Sequence, residues 1–477
     1  MLRICLFIFS LLCCFSADAE PHKTLTLKEA ILLAVRENPH VQQAQLNHIQ
    51  QKFALEVAQW QFQPQLAFTG TASMTRTVVN GSQHTTSLLS PVPAINWNTP
   101  IGTKMTLTST NNISNHYNPQ LSLQIIQPLI RGFGKAIVEA SLYNAIDSEK
   151  VSRLNVENAL RTTVTNVINA YLNLVSAANT VKIDEESLTR AQTSVQRTQL
   201  FIKAGRKAGV ELVTVQADVA SAQAKLENDK NALEQTRYAL LTAIGIDPST
   251  QFEYASINVP HLINQYTPPS LEDTKRLTLE NDIQYQINHI TLTGSITRNL
   301  RVAEDNTRWQ LNLTANAITG GGNGGGYNAG INSLTNGSNQ SQTLQLNLTI
   351  PIDDKNAKQA VLNAKIGLRE ARLALTQEKW AKETSAINNW NTLHSTLRTL
   401  HFAEEAESLQ QKTYKISFQK YSYGLIDSVE LQSVQQQLIA RQQSLLDARI
   451  NYLKALVSLD QQIGRTLQTW QIQVRYM

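Results

Sequence analysis

One long segment of this chain occurs twice. Gly205 to Gly245, GRKAGVELVTVQADVASAQAKLENDKNALEQTRYALLTAIG, aligns without a gap on Gly424 to Gly464, GLIDSVELQSVQQQLIARQQSLLDARINYLKALVSLDQQIG, at an offset of 219 residues. Val210-Glu211-Leu212 falls on Val429-Glu430-Leu431, and Val215-Gln216 on Val434-Gln435. Gln223, Leu226, Leu240 and Ile244 fall on Gln442, Leu445, Leu459 and Ile463. A repeated segment of this length requires a fold that offers two equivalent places for it. Each copy follows a stretch of helical period almost free of breakers, at about 135 to 203 and 356 to 420. Each half therefore predicts a long helix, a glycine turn and a second long helix. The longest stretch would extend about 100 Å at 1.5 Å per residue.

The rest of each half also matches in order. Residues 24 to 61 predict helix, with Thr26 and Glu29 in capping-box spacing and a kink or restart at Asn38-Pro39. Residues 270 to 308 predict helix in the second half. Between these helices and the long ones the period changes to two. Strand signals lie at Gln65 to Ala72, Lys104 to Thr108, Gln120 to Ile125, 309 to 318 and 342 to 352. A polar, proline-containing loop is expected at about 79 to 101, and a flexible surface loop at the glycine-rich 320 to 330. Residues 246 to 269, with Pro248, Pro260, Pro268 and Pro269, predict a linker. The organisation is a leader at 1–19, a first repeat at 20–245, the linker at 246–269, a second repeat at 270–464 and a tail of strand or coil at 465–477.

The leader follows from a charged Arg3, an apolar Ile4 to Phe15 and the small-x-small run Ala17-Asp18-Ala19. A lipid anchor at Cys13 or Cys14 is the weaker alternative, since neither follows a small residue. All three cysteines lie in this leader, so the mature chain is expected to use neither disulfides nor thiolate chemistry. Beyond residue 20 no apolar run is long enough for a transmembrane helix. The net charge of +5 comes without any Lys/Arg cluster, which argues against a nucleic-acid surface.

The strands decide between two readings of the long helices. Their apolar stripes, such as Val434, Leu438, Leu445, Ala448 and Tyr452, are narrow and heptad-like. Such stripes suit a periplasmic coiled-coil adaptor or scaffold as well as a tube of helices. But Leu121, Leu123 and Ile125 alternate with Ser122 and Gln124, and Leu344, Leu346, Leu348 and Ile350 alternate with Gln345, Asn347 and Thr349. One aliphatic and one polar face suit a barrel with lipid outside and water inside. Four or five strands per chain cannot close a barrel, and a sheet of that size cannot sit in lipid with open edges. A membrane barrel therefore implies an oligomer. Three copies of four strands would give twelve.

On these residues the chain resembles the TolC family of outer-membrane efflux proteins over essentially its whole mature length. Leu25-Thr26-Leu27-Lys28-Glu29-Ala30, with Glu37-Asn38-Pro39, resembles the family's opening helix. Gln127-Pro128-Leu129-Ile130-Arg131-Gly132-Phe133-Gly134 resembles its strand-to-helix junction, repeated at Thr349-Ile350-Pro351-Ile352. Tyr421-Ser422-Tyr423-Gly424 followed by Glu430 resembles its periplasmic turn. The resemblance implies a homotrimer with a twelve-stranded outer-membrane β-barrel continued by a periplasmic α-helical barrel. It implies a periplasmic adaptor and an inner-membrane transporter of RND, ABC or MFS type as partners, and an outer-membrane location. It also implies docking of the adaptor at the turns, through Gly205, Arg206, Lys207, Gly209 and Val210 and through Tyr423, Gly424, Leu425 and Ile426. A gate is expected at Glu430 with Asp427 and Tyr421. A ring of carboxylates in a narrow mouth repels itself and attracts cations. The chain departs from the family pattern there: Ser433 replaces a second acid, and Ile426 replaces a base.

No catalytic constellation is present in the sequence. The nine histidines form no metal-binding pair, and Gly320 to Gly326 leads into no Lys-Ser/Thr of a phosphate loop. No cofactor is expected, and the glycines at the turns are expected to relieve strain where the helices reverse.

Overall fold

The computed structural model describes residues 24–113, 117–250, 252–254, 268–321, 326–337 and 339–472. The predicted leader, most of the predicted linker and the last five residues of the tail lie outside these. The chain divides into two units, each assembled from three separated stretches of sequence.

The first unit contains the hairpin turns. Its opening helix, Leu27–Glu37, starts with the expected capping box: Thr26 accepts from the Glu29 amide, and Glu29 accepts from the Thr26 amide. Ala30, Ile31 and Ala34 form its buried face. The helix stops at Asn38 because Pro39 disfavours the α conformation in the residue before it. Asn38 then donates from Nδ2 to the carbonyl of Ala243 at 2.8 Å. That carbonyl belongs to the last turn of the Val210–Ile244 helix, where it has no partner within the helix. Gly245 ends this helix at φ 92°, and a Cβ there would lie 2.8 Å from Asn38 Cα. A two-residue β1, Thr24–Leu25, pairs in parallel with the distant Glu253–Tyr254 in the linker region. Tyr171, fully buried, donates its hydroxyl to the Leu25 carbonyl at 3.0 Å.

The second unit contains one antiparallel sheet. Its strands are β2 (Gln65–Val79), β3 (Ser82–Asn98), β4 (Lys104–Ile113) and β5 (Tyr117–Pro128), then, after β6 (Glu253–Tyr254) of the first unit, β7 (Gln310–Gly320) and β8 (Gln340–Thr349). The order across the sheet is β2-β3-β4-β5-β7-β8, with β2 and β8 as edges. Five of these six strands coincide with the predicted strand signals, and β3 is the addition. The predicted loop at 79 to 101 is mostly strand β3. A two-residue turn, Asn80 at φ 49° and Gly81 at φ 81°, joins it to β2. Both angles are those of a type I′ hairpin turn, which fits the twist of the strands on either side. Pro91 and Pro93 have no N–H to give, and the β3–β4 pairing lapses between Leu89↔Ile113 and Ala94↔Thr108. Asn111 partly fills the gap by donating from Nδ2 to the Pro91 carbonyl at 3.2 Å.

Three other expectations change. Part of the glycine-rich loop region is a helix, Tyr327–Thr335, which packs on the ends of β5 and β7. Tyr327 stacks on Tyr117 at 4.9 Å, and Gly330 lies so close to Tyr117 and Pro119 that no Cβ fits. The predicted helix 270 to 308 is broken into Leu271–Asn281, Ile283–Thr291, a π turn at Leu292–Ile296 and Thr297–Asn306. Within the tail, Thr466–Thr469 is a short helix.

The cap of the first half has a twin here. Asn281 Nδ2 donates to the Ile463 carbonyl at 2.9 Å, just past the Ser428–Gln462 helix, as Asn38 does to Ala243. Gly464 follows at φ 77°, as Gly245 follows its own helix. The four helices predicted by the repeat are Ala140–Lys203, Val210–Ile244, Lys355–Ser422 and Ser428–Gln462.

Candidate functional site

The pairing register sorts every strand residue onto one of two faces. One face carries Leu66, Phe68, Ala72 and Met74 of β2, Leu89, Ile95 and Trp97 of β3, and Met105, Leu107 and Ile113 of β4. It continues with Leu121, Leu123 and Ile125 of β5, Leu311, Leu313, Ala315 and Ala317 of β7, and Leu344, Leu346 and Leu348 of β8. The other face is mostly Thr, Ser, Asn and Gln: Thr69, Thr71, Thr106, Thr108, Ser122, Gln124, Thr314, Asn316, Gln345 and Asn347 are typical. Arg76 and Lys104 are the only Arg or Lys residues in the six strands, and no Asp or Glu occurs there. The aliphatic face is exposed within the single chain, with Leu66 83% and Leu344 73% accessible. An apolar surface of this width needs lipid or protein against it.

The strand-to-helix junction residues lie where β5 leaves the sheet. Thr103 donates from Oγ1 to Gln127 Oε1, and Gln127 donates from Nε2 to the Pro128 carbonyl. Pro128 ends β5, and Gly132, at φ 78°, donates its amide to Asp305 Oδ2 at 2.7 Å. Asp305 is buried, and its other oxygen accepts from Arg308 at 3.2 Å. Gly102 packs on the Gly132 carbonyl, where a Cβ would approach to 2.6 Å. Pro351 occupies the matching place two residues beyond β8. The sequence marks Gly132 and Pro128; Asp305, 173 residues away, it does not.

At the hairpin turns the two copies share one backbone motif. Arg206 donates its amide to the Phe201 carbonyl and Leu425 to the Lys420 carbonyl, at 2.8 and 2.9 Å. Gly205 and Gly424 hold φ 68° and 75° in these turns, as a Schellman-type ending requires. Neither would meet anything with a Cβ, so backbone conformation alone asks for glycine. Gly209 differs from expectation: at φ −60° and ψ −24° it is an ordinary right-handed residue that relieves no strain. Val210, Tyr423, Leu425 and Val429 are exposed, whereas Ile426 is half-buried.

The two turns are also tied together. Lys207 pairs with Glu211 at 2.6 Å and sits 4.7 Å above the Tyr421 ring. Ser428 of the second turn donates to Glu211 of the first at 3.0 Å. Tyr421 is fully buried; its hydroxyl lies 2.8 Å from Thr198 Oγ1, and Phe201 meets its ring edge-on. Arg197 donates to Ser422 Oγ and covers the Phe418 ring at 4.4 Å. Asp427 accepts the Glu430 amide at 2.7 Å and so caps the Ser428–Gln462 helix. Glu211 and Glu430, equivalent in the repeat, have different surroundings: Glu211 is bonded twice, while Glu430 is exposed with no side-chain partner among the described residues.

Farther along the same helices is a charged cluster that the sequence does not reveal. Lys225 Nζ lies 2.5 and 2.6 Å from the oxygens of Asp184 and 2.9 Å from Asp229. Burial pushes the Asp184 carboxyl above its usual range, and its hydrogen bond with Asp229 adds to this. That same hydrogen bond holds Asp229 below the usual range. Burial also raises Asp218, against the opposing bond from the Gln432 amide. Among the described residues no cluster of His, Cys, Asp or Glu could hold a metal ion, and no helix is long and apolar enough to cross a membrane.

A family model described as outer membrane efflux protein matches residues 30–246 and 297–465. No curated protein sequence matches the chain. Among solved structures, CusC, studied for its transmembrane channel formation, is 16% identical, covering 92% of this chain and 91% of its own, with a TM-score of 0.70. The open-state MtrE outer membrane channel of Neisseria gonorrhoeae is 15% identical over 92% and 88%, with a TM-score of 0.69. The CmeC outer membrane channel of Campylobacter jejuni is 15% identical over 97% and 94%, with a TM-score of 0.66. These likenesses establish the fold, and the family model covers both halves of the repeat. The chain belongs to the outer membrane efflux protein family, the TolC-like channels that pass substrates out through the outer membrane and catalyse no reaction.

Proposed function

We propose that three copies of the chain assemble into one exit duct, with their sheets joined into an outer-membrane β-barrel and their helical hairpins forming a periplasmic tube. The observation that carries this is the two-faced sheet with open edges at β2 and β8. Unpaired N–H and C=O groups cannot face hydrocarbon, so neighbouring copies must supply the missing partners. Twelve strands follow from four per chain. The duct receives substrate from an inner-membrane transporter of RND, ABC or MFS type through a periplasmic adaptor, in tripartite efflux or type I secretion. The exposed Val210, Tyr423, Leu425 and Val429 give the turns an apolar surface suited to adaptor docking. Gly205, Arg206, Lys207, Gly209, Gly424 and Ile426 shape that surface.

The gate reading assigns three different tasks. Glu430 is the free carboxylate that symmetry repeats around the mouth. Asp427 fixes the start of its helix. Tyr421 is buried between the hairpins, so its part is to lock the first turn to the second rather than to line the opening. Glu430→Gln is therefore expected to weaken block of the channel by a trivalent cation added on the periplasmic side. Planar-bilayer recordings should show at least a tenfold rise in the blocking concentration, and a selectivity shifted away from cations. Glu211→Gln, whose parent carboxylate is already paired with Lys207, should resemble wild type in block. Unchanged block and selectivity in Glu430→Gln would make Glu430 an ordinary solvated residue and move the gate elsewhere.

A further inference from the structure

We infer that the helix Tyr327–Thr335 is an interfacial helix: it lies on the lipid side of the barrel wall and rests in the headgroup zone of the outer leaflet. This rests on the reading of the aliphatic face as the lipid-facing one, and it adds a surface for the outer leaflet's headgroups. Three observations carry it.

The first is the face that the helix covers. The β4–β5 ladder runs unbroken from Met105↔Ile125 to Ile113↔Tyr117, and Thr319 pairs with Leu121. Tyr117, Pro119 and Thr319 therefore continue the aliphatic face of Leu121, Leu123 and Ile125. The helix lies on the side chains of all three. Tyr327 stacks on the Tyr117 ring at 4.9 Å. A Cβ at Gly330 would come within 2.7 Å of Tyr117 Cδ1 and 3.0 Å of Pro119 Cδ. Thr319 donates from Oγ1 to the Leu334 carbonyl at 3.1 Å. A helix that closed over the water passage would instead cover Gln120, Ser122 and Asn316 on the polar face.

The second is height. Trp309 is exposed just before β7, and Thr319 lies under the helix at its other end. Leu311, Leu313, Ala315 and Ala317 stand between them on the aliphatic face. The ten residues from Trp309 to Thr319, at about 3.3 Å each and a tilt of roughly 40°, rise about 25 Å across a membrane. That is the height of the apolar band on an outer-membrane barrel, which aromatic residues border at both interfaces. Trp309 marks one border and the Tyr117–Tyr327 pair the other. The helices next to the sheet adjoin β2, β5, β7 and β8 at the Trp309 end. The helix Tyr327–Thr335 therefore stands at the end turned away from the periplasm.

The third is the chemistry of the surface left open. Gly330 and Ser333 are buried against the sheet, and Tyr327 and Ile331, one turn apart, are 65% and 39% exposed. With the half-buried Leu334 they form an apolar flank, beside which Asn328, Asn332 and Thr335 are exposed. A helix with one apolar and one polar side settles in the plane of the interface, its apolar side at the border of headgroups and acyl chains. Tyrosine is enriched at that level. Between Arg308 and Asp353 the sequence contains no charged residue. The helix thus offers hydrogen bonds without a fixed charge that would have to be desolvated beside hydrocarbon. Its seat on β5 and β7, rather than attraction to anionic lipid, holds it in place.

The test uses the full-length protein in lipid nanodiscs. Single cysteines at Ile331, Leu123 and Gln124 are labelled with bimane and quenched by lipids that carry a nitroxide either near the headgroup or near the bilayer centre. Ile331→Cys should be quenched several-fold more by the shallow nitroxide than by the central one. Leu123→Cys should show the reverse, and Gln124→Cys little quenching by either. Adding Gly330→Leu, which leaves no room for the helix on Tyr117, should cut the shallow quenching at Ile331 at least twofold while central quenching at Leu123 persists. Ile331→Cys quenched by aqueous iodide and by neither lipid, with Leu123→Cys still quenched from the centre, would overturn the inference and leave the lipid-facing wall standing. Shallow quenching unchanged by Gly330→Leu would overturn it as well. Absence of lipid quenching at Leu123 would overturn the wall reading, and the inference with it.

Discussion

Leu123→Arg and Leu346→Arg are expected to abolish outer-membrane insertion, whereas Gln124→Arg and Asn347→Arg insert as wild type does. The two pairs are sequence neighbours on opposite faces of the sheet. Leu123 and Leu346 belong to the aliphatic face, each in the middle of its own strand's apolar stretch. An arginine on the lipid side near the bilayer midplane costs about 2–4 kcal/mol, and a trimer carries three. The summed penalty is comparable to the whole stability of an ordinary domain. Gln124 and Asn347 lie on the face of Thr106, Thr314 and Gln345, where water solvates a guanidinium. Membrane fractionation with a heat-modifiability assay reads the result. Equal tolerance of arginine on both faces would contradict the assignment of the aliphatic face to lipid.

The second large effect is expected at Gly245 and Gly464. Both hold left-handed backbone, which costs a side-chain-bearing residue about 1–2 kcal/mol. Both also stand against the asparagine that caps the same helix. A Cβ at Gly245 would meet Asn38 Cα and Pro39 Cδ at 2.8 Å, and one at Gly464 would meet Asn281 Cβ at 2.6 Å. Relief requires moving Asn38 or Asn281 and so breaking its bond to Ala243 or Ile463. A total loss of about 3 kcal/mol or more per substitution follows from strain and overpacking together. Gly205→Ala and Gly424→Ala provide the controls, since they share the positive φ but meet nothing. Gly245→Ala and Gly464→Ala should sharply reduce the yield of folded protein in the outer membrane, and the turn variants should reduce it little. Comparable yields from all four variants would contradict the packing account.

How far the sequence could be read follows from the range of the interactions involved. The capping box at Thr26 and Glu29, the break at Asn38-Pro39 and the glycine turns are local, and all were legible. The two-faced character of β5 and β8 was legible because their alternation is unbroken. β3 was not, because Pro91 and Pro93 look like loop residues when the neighbouring strand is unknown. The sequence did hold a clue in Asn80-Gly81, a strong hairpin signal flanked by strand-like residues. The helix Tyr327–Thr335 was hidden by the glycines before it. Gly330, which looks like a loop residue, is there because the helix lies against Tyr117.

The candidate site was legible by position and not by role. Glu211 and Glu430 are twins in sequence, and only the fold distinguishes them, through Lys207 and the Ser428 hydroxyl 217 residues from Glu211. Nothing near Tyr421 in the sequence shows that Thr198 and Phe201 enclose it. The periplasmic adaptor or scaffold, which the helices alone would have suited, gives way to the channel on the family match and the six-stranded sheet.

The central claim is that the sheet's polar face lines a water-filled passage, and single-channel recording tests it most directly. Protein purified from the outer membrane is added to one side of a planar lipid bilayer. The account predicts discrete current steps of uniform size that grow in proportion to the conductivity of the electrolyte, with larger steps when Lys207→Ala loosens the joined turns. Protein that inserts into the bilayer yet produces no steps, with the turns intact or loosened, would contradict it.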